Sequence, residues 1–491
     1  MTSDTQLREL LHGAAWMPED GRRADGYERI DEAALGPGTT ALIVSPVGGP
    51  AHGRPLFVPV HTDAAGRLDE AQGTSAFDLA CVRRMATGGR IPTARGGHLE
   101  FRGGGTAARS VRQLPFEQGW SSNSLSLVDI DGRPHLHKTY RALGPGVREP
   151  ELLRLMDGSG RTPRWFGDYS YLPPGRDERF ALGVVYTYAP GTGIDTPLRE
   201  NLRSLWPKLL RAGADGFADT LVHHHLSPLE SPLEAAGRFL RAFHEDLRVR
   251  LGAGTVPPDF PVLRSLRAAE HRAAALAERA GTEAGLPSAA VAGAFRSIAV
   301  ETGLLRTEFT ASDVRWSAGP CHGDLHLSHL LWDPPRLIDI STPSTGPDDA
   351  GWSEQSPLED VVALHRALEY FSADEAAFES ARLLGIDATE TMYGALDGAP
   401  GLPPRERALL LLVFEAADLW RRRVMELLLA PTVSDSPADA PLRRLLYLRR
   451  LLHELDYNFA HARPYHAAID LRHAIALGLP SPSARPLTTR N

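Results

Sequence analysis

The spacing of apolar residues changes character near residue 191. Before that point apolar runs are short and stop at Gly, Pro or Asp, which predicts strands over 39–47 ("TTALIVSPV"), 54–60 ("RPLFVPV"), 97–104 ("GHLEFRGG") and 180–191 ("FALGVVYTYAPG"). Residues 123–140, "NSLSLVDIDGRPHLHKTY", read as a hairpin about Asp131-Gly132. Helices are expected over 75–89 and from 149, where Pro150 suits a first turn. After residue 191 apolar residues recur every three or four positions, as at Leu240, Phe243 and Leu247. Similar stripes over 263–281, 287–306, 357–370, 405–430 and 441–461 predict a mostly helical second half. The exception is 319–340, a loop leading into a short hairpin, and 481–491 reads as a disordered tail. The chain is therefore of the α+β class.

Composition narrows the function. The 491 residues are 42% hydrophobic and 23% charged, enough for a large core. A net charge of −8 and a pI near 6.2 give no attraction for nucleic acid or anionic lipid. The most apolar stretch, Ala408 to Phe414, is interrupted by Glu415 and Asp418, so no membrane span is expected. The N-terminus has neither a basic start nor an apolar run, and two cysteines, Cys81 and Cys321, make no disulfide framework. A cytoplasmic protein is predicted. Of the 53 basic residues only Lys138 and Lys208 are lysine, and Lys138 alone sits on a predicted strand beside other candidate chemistry.

The candidate chemistry centres on "CHGDLHLSHLL", residues 321–331. His322, His326 and His329 stand at i, i+4 and i+7, a spacing that could hold zinc on a helix. Gly323 disfavours a helix there, and no glutamate between the first two histidines supplies a hydrolytic base. A phosphotransfer loop accounts for more. Such a loop has an aspartate that orients the acceptor hydroxyl, a polar metal ligand about five positions on, and a second metal aspartate after a short hairpin. Asp324, His329 and Asp339 occupy those places.

With "HGDLH" followed by "IDI", the region resembles the catalytic segment of aminoglycoside phosphotransferase-like kinases. More closely, the chain resembles actinobacterial maltokinases and glucosamine kinases, through "SSNSLSLV", "HLHKTYRALGPGVREPELLRLM", "VVYTYAPG", "SPLEDVVALHRALEYFS" and "HELDYNFAHARPY" in that order. The resemblance implies a protein-kinase-like two-lobed fold: a maltokinase-type cap over 1–105, a nucleotide lobe over 106–190 and a helical acceptor lobe over 191–480. It implies ATP and Mg²⁺, or Mn²⁺, as cofactors, and a sugar, aminosugar or cyclitol as partner. Asp324 would be the catalytic base. Ser121, Ser122 and Asn123 would face the phosphates, although the same residues make an ordinary turn. Lys138 would neutralise the α- and β-phosphates, oriented by Glu151, with Glu149 the second choice. Thr187 and Ala189 would lie against adenine. His326, Trp352, Glu454, Tyr457 and Arg463 would face the acceptor, Trp352 by stacking.

Three positions depart from that pattern. His329 replaces the usual asparagine or glutamine, an imidazole where magnesium prefers oxygen. Ser341 replaces an acidic residue after Asp339, and Glu359 replaces the arginine before the helix aspartate. Three functions stay open: a sugar, aminosugar or cyclitol kinase; a nucleotide-binding pseudokinase or scaffold; and a kinase of the same fold acting on another acceptor, such as an antibiotic.

Overall fold

The short apolar runs of the first half form two antiparallel sheets in the computed structural model, which describes residues 3–105, 108–118, 123–144, 146–176, 178–212, 218–252, 259–280, 285–340, 354–432 and 439–477. The first sheet is a meander of β1 (Gly26–Gly36), β2 (Thr39–Val47), β3 (Leu56–Thr62) and β4 (Leu68–Glu70). Its strand β2 is buried on both faces, which is why its apolar residues run on without alternation. Leu42 and Val44 pack with Leu7 and Leu11 of the helix Ser3–Gly13. Ala41 and Ile43 face the other way, onto Phe77, Cys81 and Val82 of the helix Ser75–Thr87.

The second sheet is built from β5 (Gly89–Pro92), β6 (His98–Gly103), β7 (Val111–Leu114), β8 (Ser124–Ile130), β9 (Arg133–Thr139), β10 (Trp165–Leu172) and β11 (Phe180–Thr187). Its order is β5-β6-β10-β11-β9-β8-β7, so β9, the strand of Lys138, is flanked on both sides. Strands β8 and β9 join through the expected two-residue turn, with Asp131 at φ 51° and Gly132 at φ 79°, both left-handed as such a hairpin requires. The sheet spans the expected boundary at 105. Strand β6 pairs with β10 from Gly103 opposite Gly167 to His98 opposite Leu172, and Leu99 and Phe101 share the core under the helix Ser75–Thr87.

Residues 1–191 with 336–349 make one unit; 192–335 with 350–491 make the other. The second unit is helical, with long helices at Glu230–Gly252, Val262–Ala280, Ser288–Ala311, Leu358–Leu384, Pro404–Leu429 and Ala440–Ala460. Leu240, Phe243 and Leu247 are fully buried, as their spacing predicts. A separate core joins Leu276, Ile298, Leu305, Leu448, Leu451 and Leu455. Among the described residues no helix is long and apolar enough to cross a membrane. The tail 481–491 lies outside the described residues.

Gly103 marks where helix and sheet approach most tightly, since a β-carbon there would lie 2.0 Å from Met85 O. Gly103→Ala is expected to destabilise the first unit by about 1–3 kcal/mol through overpacking. Chemical denaturation followed by tryptophan fluorescence measures it; an unchanged midpoint would contradict the close approach.

Candidate functional site

The loop carrying Asp324 is shaped from beneath by Asp360, in the first turn of the helix Leu358–Leu384. Asp360 is fully buried, and its carboxylate accepts the backbone N–H of His322 (2.7 Å) and of Gly323 (2.9 Å) and the Nε2–H of His244 (2.8 Å). Burial alone would raise its pKa, but these donors and the His244 and His322 charges outweigh it and hold the carboxyl below its ordinary value. Gly323, at φ 93°, turns the chain out of the interior in a conformation that other residues rarely adopt. Leu325, Leu327 and Leu330 then anchor the loop in the core, while Asp324, His326 and His329 between them are only partly covered.

These three residues form one cluster. His326 Nε2 lies 3.6 Å from Asp324 Oδ2, and His329 donates from Nδ1 to the Asp324 carbonyl at 2.9 Å. The His326 and His329 rings are 3.7 Å apart between centroids. Hydrogen bonding and charge from His326 come first in holding the Asp324 carboxyl well below the usual carboxylate range; partial burial opposes, and Arg450 and His329 add to the lowering. Asp324 is therefore ionised at neutral pH. The three-histidine zinc spacing does not become a helix: residues 321–326 are irregular with a bend at Gly323 and Asp324, and only Leu327–His329 makes a single 3₁₀ turn.

In the first unit Lys138 is nearly buried on β9 and pairs with Glu149 Oε2 at 2.8 Å and closely with Asp339. Burial pulls the pKa of the ammonium down, yet Glu149, Tyr186 and Asp339 together raise it, so the charge is permanent. Tyr140 also donates to Glu149 Oε2, at 2.7 Å. The carboxylate beside Lys138 is thus Glu149 and not the favoured Glu151, which is exposed. Two residues apart on a helix means roughly 200° of rotation, so only one of the pair can face the sheet. At the end of β11 the N–H of Thr187 donates to Arg164 O (2.8 Å) and that of Tyr188 to Pro134 O (2.9 Å). The Thr187 amide is therefore spent inside the sheet, and half-buried Ala189 comes next. Asn123 is half-buried, its carbonyl accepting from Gln118 Nε2 at 2.7 Å. Ser121, Ser122, Ser341 and Trp352 lie outside the described residues.

Glu454, Tyr457 and Arg463, separated in sequence by a helix end, line one cavity of about 330 Å³ in the second unit, together with Tyr370, Arg450, His453, Asn458 and His466. His326 is not among its lining residues. Beneath it Arg366, almost wholly buried, binds Glu454 Oε2 (2.8 Å), Glu369 and Asp470. Sequence reasoning noted Asp360 only as the helix aspartate after Glu359, without its bonds to the loop, and missed His244 and Arg366. The available signal was the same for each, a charged or polar residue inside an apolar helical stripe.

An antiparallel-sheet unit with a helical unit that carries the HGD loop is a fold shared with solved glucosamine kinases. Among solved structures the chain is similar to a glucosamine kinase in complex with glucosamine, ADP and inorganic phosphate, at 17% identity and a TM-score of 0.55, covering 96% of this chain and 99% of that one. Crystal form B of glucosamine kinase matches equally, at 17% identity and 0.55, over 94% and 97% of the two chains. No protein-family model matches the chain, and no curated protein does.

Removing the Asp360 carboxylate leaves buried donors unanswered, so Asp360→Ala is expected to cost about 3–5 kcal/mol and Asp360→Asn less. Because the folded pKa is lowered, the stabilisation is complete above the ordinary aspartate value of 3.8 and is lost as pH falls through the folded value. Denaturation midpoints of wild type and Asp360→Asn should therefore converge in acid. Midpoints that stay equally far apart at every pH would contradict the clamp.

Proposed function

We propose that the chain is an ATP-dependent small-molecule kinase that moves the γ-phosphate of ATP to a hydroxyl of a sugar, aminosugar or cyclitol. The observation that carries this reading is the Asp324 loop: an ionised, half-exposed carboxylate on backbone fixed by Asp360. Such a carboxylate orients an acceptor hydroxyl and takes its proton as the oxygen attacks phosphorus. Lys138, set by Glu149, would hold the α- and β-phosphates, with Asn123 and the adjoining Ser121 and Ser122 on the same phosphate chain. Ala189 would supply the adenine-facing amide, since that of Thr187 is already bonded. The likeness to glucosamine kinase supports this reading at the level of the fold.

Asp339 fits a magnesium site of the usual kind, in which one carboxylate shares the ion with phosphate oxygens and waters. The ion, when bound, would neutralise charge on the phosphates. His329 donates from Nδ1, so in the neutral ring Nε2 carries the lone pair, the tautomer a metal-binding imidazole needs. An imidazole ligand favours manganese over magnesium. A second reading, a nucleotide-binding module without transfer, draws on two observations. Among the described residues no group of three or more His, Cys, Asp or Glu side chains could hold a metal ion, and Asp339 is engaged by Lys138.

Asp324→Asn is expected to lower turnover by roughly 10² to 10⁴ while nucleotide still binds. Lys138→Met should weaken nucleotide binding and turnover together. Steady-state kinetics with ADP titration checks both, and wild-type turnover in Asp324→Asn would remove its role. If His329 ligates the ion, manganese should support more activity than magnesium and His329→Asn should restore the magnesium preference. Equal activity with the two ions, unchanged by the substitution, would show that it does not.

A further inference from the structure

The cavity lined by Glu454, Tyr457 and Arg463 has an unusual charge balance for a site that would receive an aminosugar. Glu454 is its one carboxylate, and both of its oxygens are taken: Oε1 by Arg450 Nε at 2.7 Å and Oε2 by the buried Arg366 Nε at 2.8 Å. Its negative charge is answered twice before any ligand arrives. Arg463 stands in the opposite condition. Among the described residues it has no carboxylate within ion-pair distance. Its guanidinium lies 5.7 Å from the Tyr457 ring centroid and donates from Nη2 to His466 Nε2 at 2.9 Å. An arginine can only donate, so His466 accepts there and is neutral. One acid that feels Arg463 is Asp374, but it accepts the Tyr465 hydroxyl at 2.8 Å and makes no ion pair with the guanidinium.

The remaining lining groups are neutral. Burial, with the charges of Arg450 and Arg272, lowers the pKa of His453, and burial with Arg463 lowers that of His466. Asn458 gives its amide hydrogens to Tyr370 (3.0 Å) and Asp470 (2.9 Å). The wall therefore presents two guanidinium groups against one carboxylate. An ammonium entering it would find no free acid on that wall, since Glu454 is already bonded to two arginines. An anion would gain Arg463, whose planar fork suits carboxylate and phosphate alike. Arg450 ties the cavity to the chemistry, since it pairs with Glu454 and its charge is among those that lower Asp324.

We propose that the acceptor is a polyhydroxylated anion, a sugar acid or a sugar phosphate, whose negative group is bound by Arg463. This rests on the reading of the cavity as the acceptor side of a kinase. Tyr457, about half exposed beside Arg463 and stacked on His461 at 4.1 Å, supplies a flat apolar face for the carbon skeleton. Neutral His453 and His466 offer hydrogen bonds to hydroxyls at the same wall.

Isothermal titration of the full chain with glucuronate, glucose 6-phosphate, glucose and glucosamine tests the proposal, the first two separating carboxylate from phosphate. At least one anion should bind about tenfold or more tightly than glucose, as a charge-assisted pair allows. Arg463→Gln should reduce that affinity to the level of glucose, Arg463→Lys should recover part of it, and the ADP affinity of both variants should stay at wild type. Tightest binding by glucosamine, no binding by either anion, or an anion preference that survives Arg463→Gln would overturn the proposal. Parallel phosphoryl-transfer assays keep the two readings apart. An anion that binds through Arg463 while no sugar of the panel is phosphorylated supports the anion site and overturns the kinase, whereas phosphorylated glucosamine without anion preference does the reverse.

Discussion

The local structure around Asp324 depends on one buried carboxylate. Asp360 has no solvent, so its charge is stable only because three N–H donors converge on it, two from consecutive backbone amides of the loop it supports. The bond pattern works in both directions. The donors keep Asp360 ionised, and Asp360 fixes the backbone at His322 and Gly323, leaving Asp324 as the first side chain past the turn. The loop cannot relax without stranding either a charge or two amides in the interior, which costs more than an exposed loop of this length could recover. Leu325, Leu327 and Leu330 close the same arrangement by hydrophobic burial.

The helical unit repeats that logic around Arg366. Its guanidinium lies at the centre of Glu369, Glu454 and Asp470, and Glu369 is shared further with Tyr447, His365 and Arg421. Replacing such a network by apolar residues need not destabilise a protein, so stability is a weak reason for it to be there. Its geometric effect is more specific. It draws one oxygen of Glu454 inward and, with Arg450 on the other, fixes the charge and orientation of the cavity wall.

Much of the fold was legible in the sequence because burial on one face or two leaves different apolar patterns. The unbroken run of β2, the Asp131-Gly132 turn and the stripe of Leu240, Phe243 and Leu247 each carry their cause on the surface of the chain. The glycines at 103–105 look like a linker, yet Gly103 is a strand residue that lets the Met85 carbonyl come close. Within the candidate site, residue types and spacing singled out Asp324, Lys138 and Asp339 as candidates, but not which of Glu149 and Glu151 turns inward. That choice depends on the rotation of one short helix, fixed by Leu152 and Leu153 packing after it. The bond between Asp360 and His244 was hidden because the two are 116 positions apart and meet only when two long helices pack.

The central claim is that an ionised Asp324 serves transfer of phosphate to a hydroxyl. Phosphorus NMR of the full chain with ATP, divalent ion and a panel of neutral, amino and acidic sugars and cyclitols reads that transfer directly. The account predicts a new phosphomonoester resonance growing with one acceptor in step with ADP. ATP that stays intact, or yields only ADP and inorganic phosphate with every acceptor while nucleotide is bound, would contradict it.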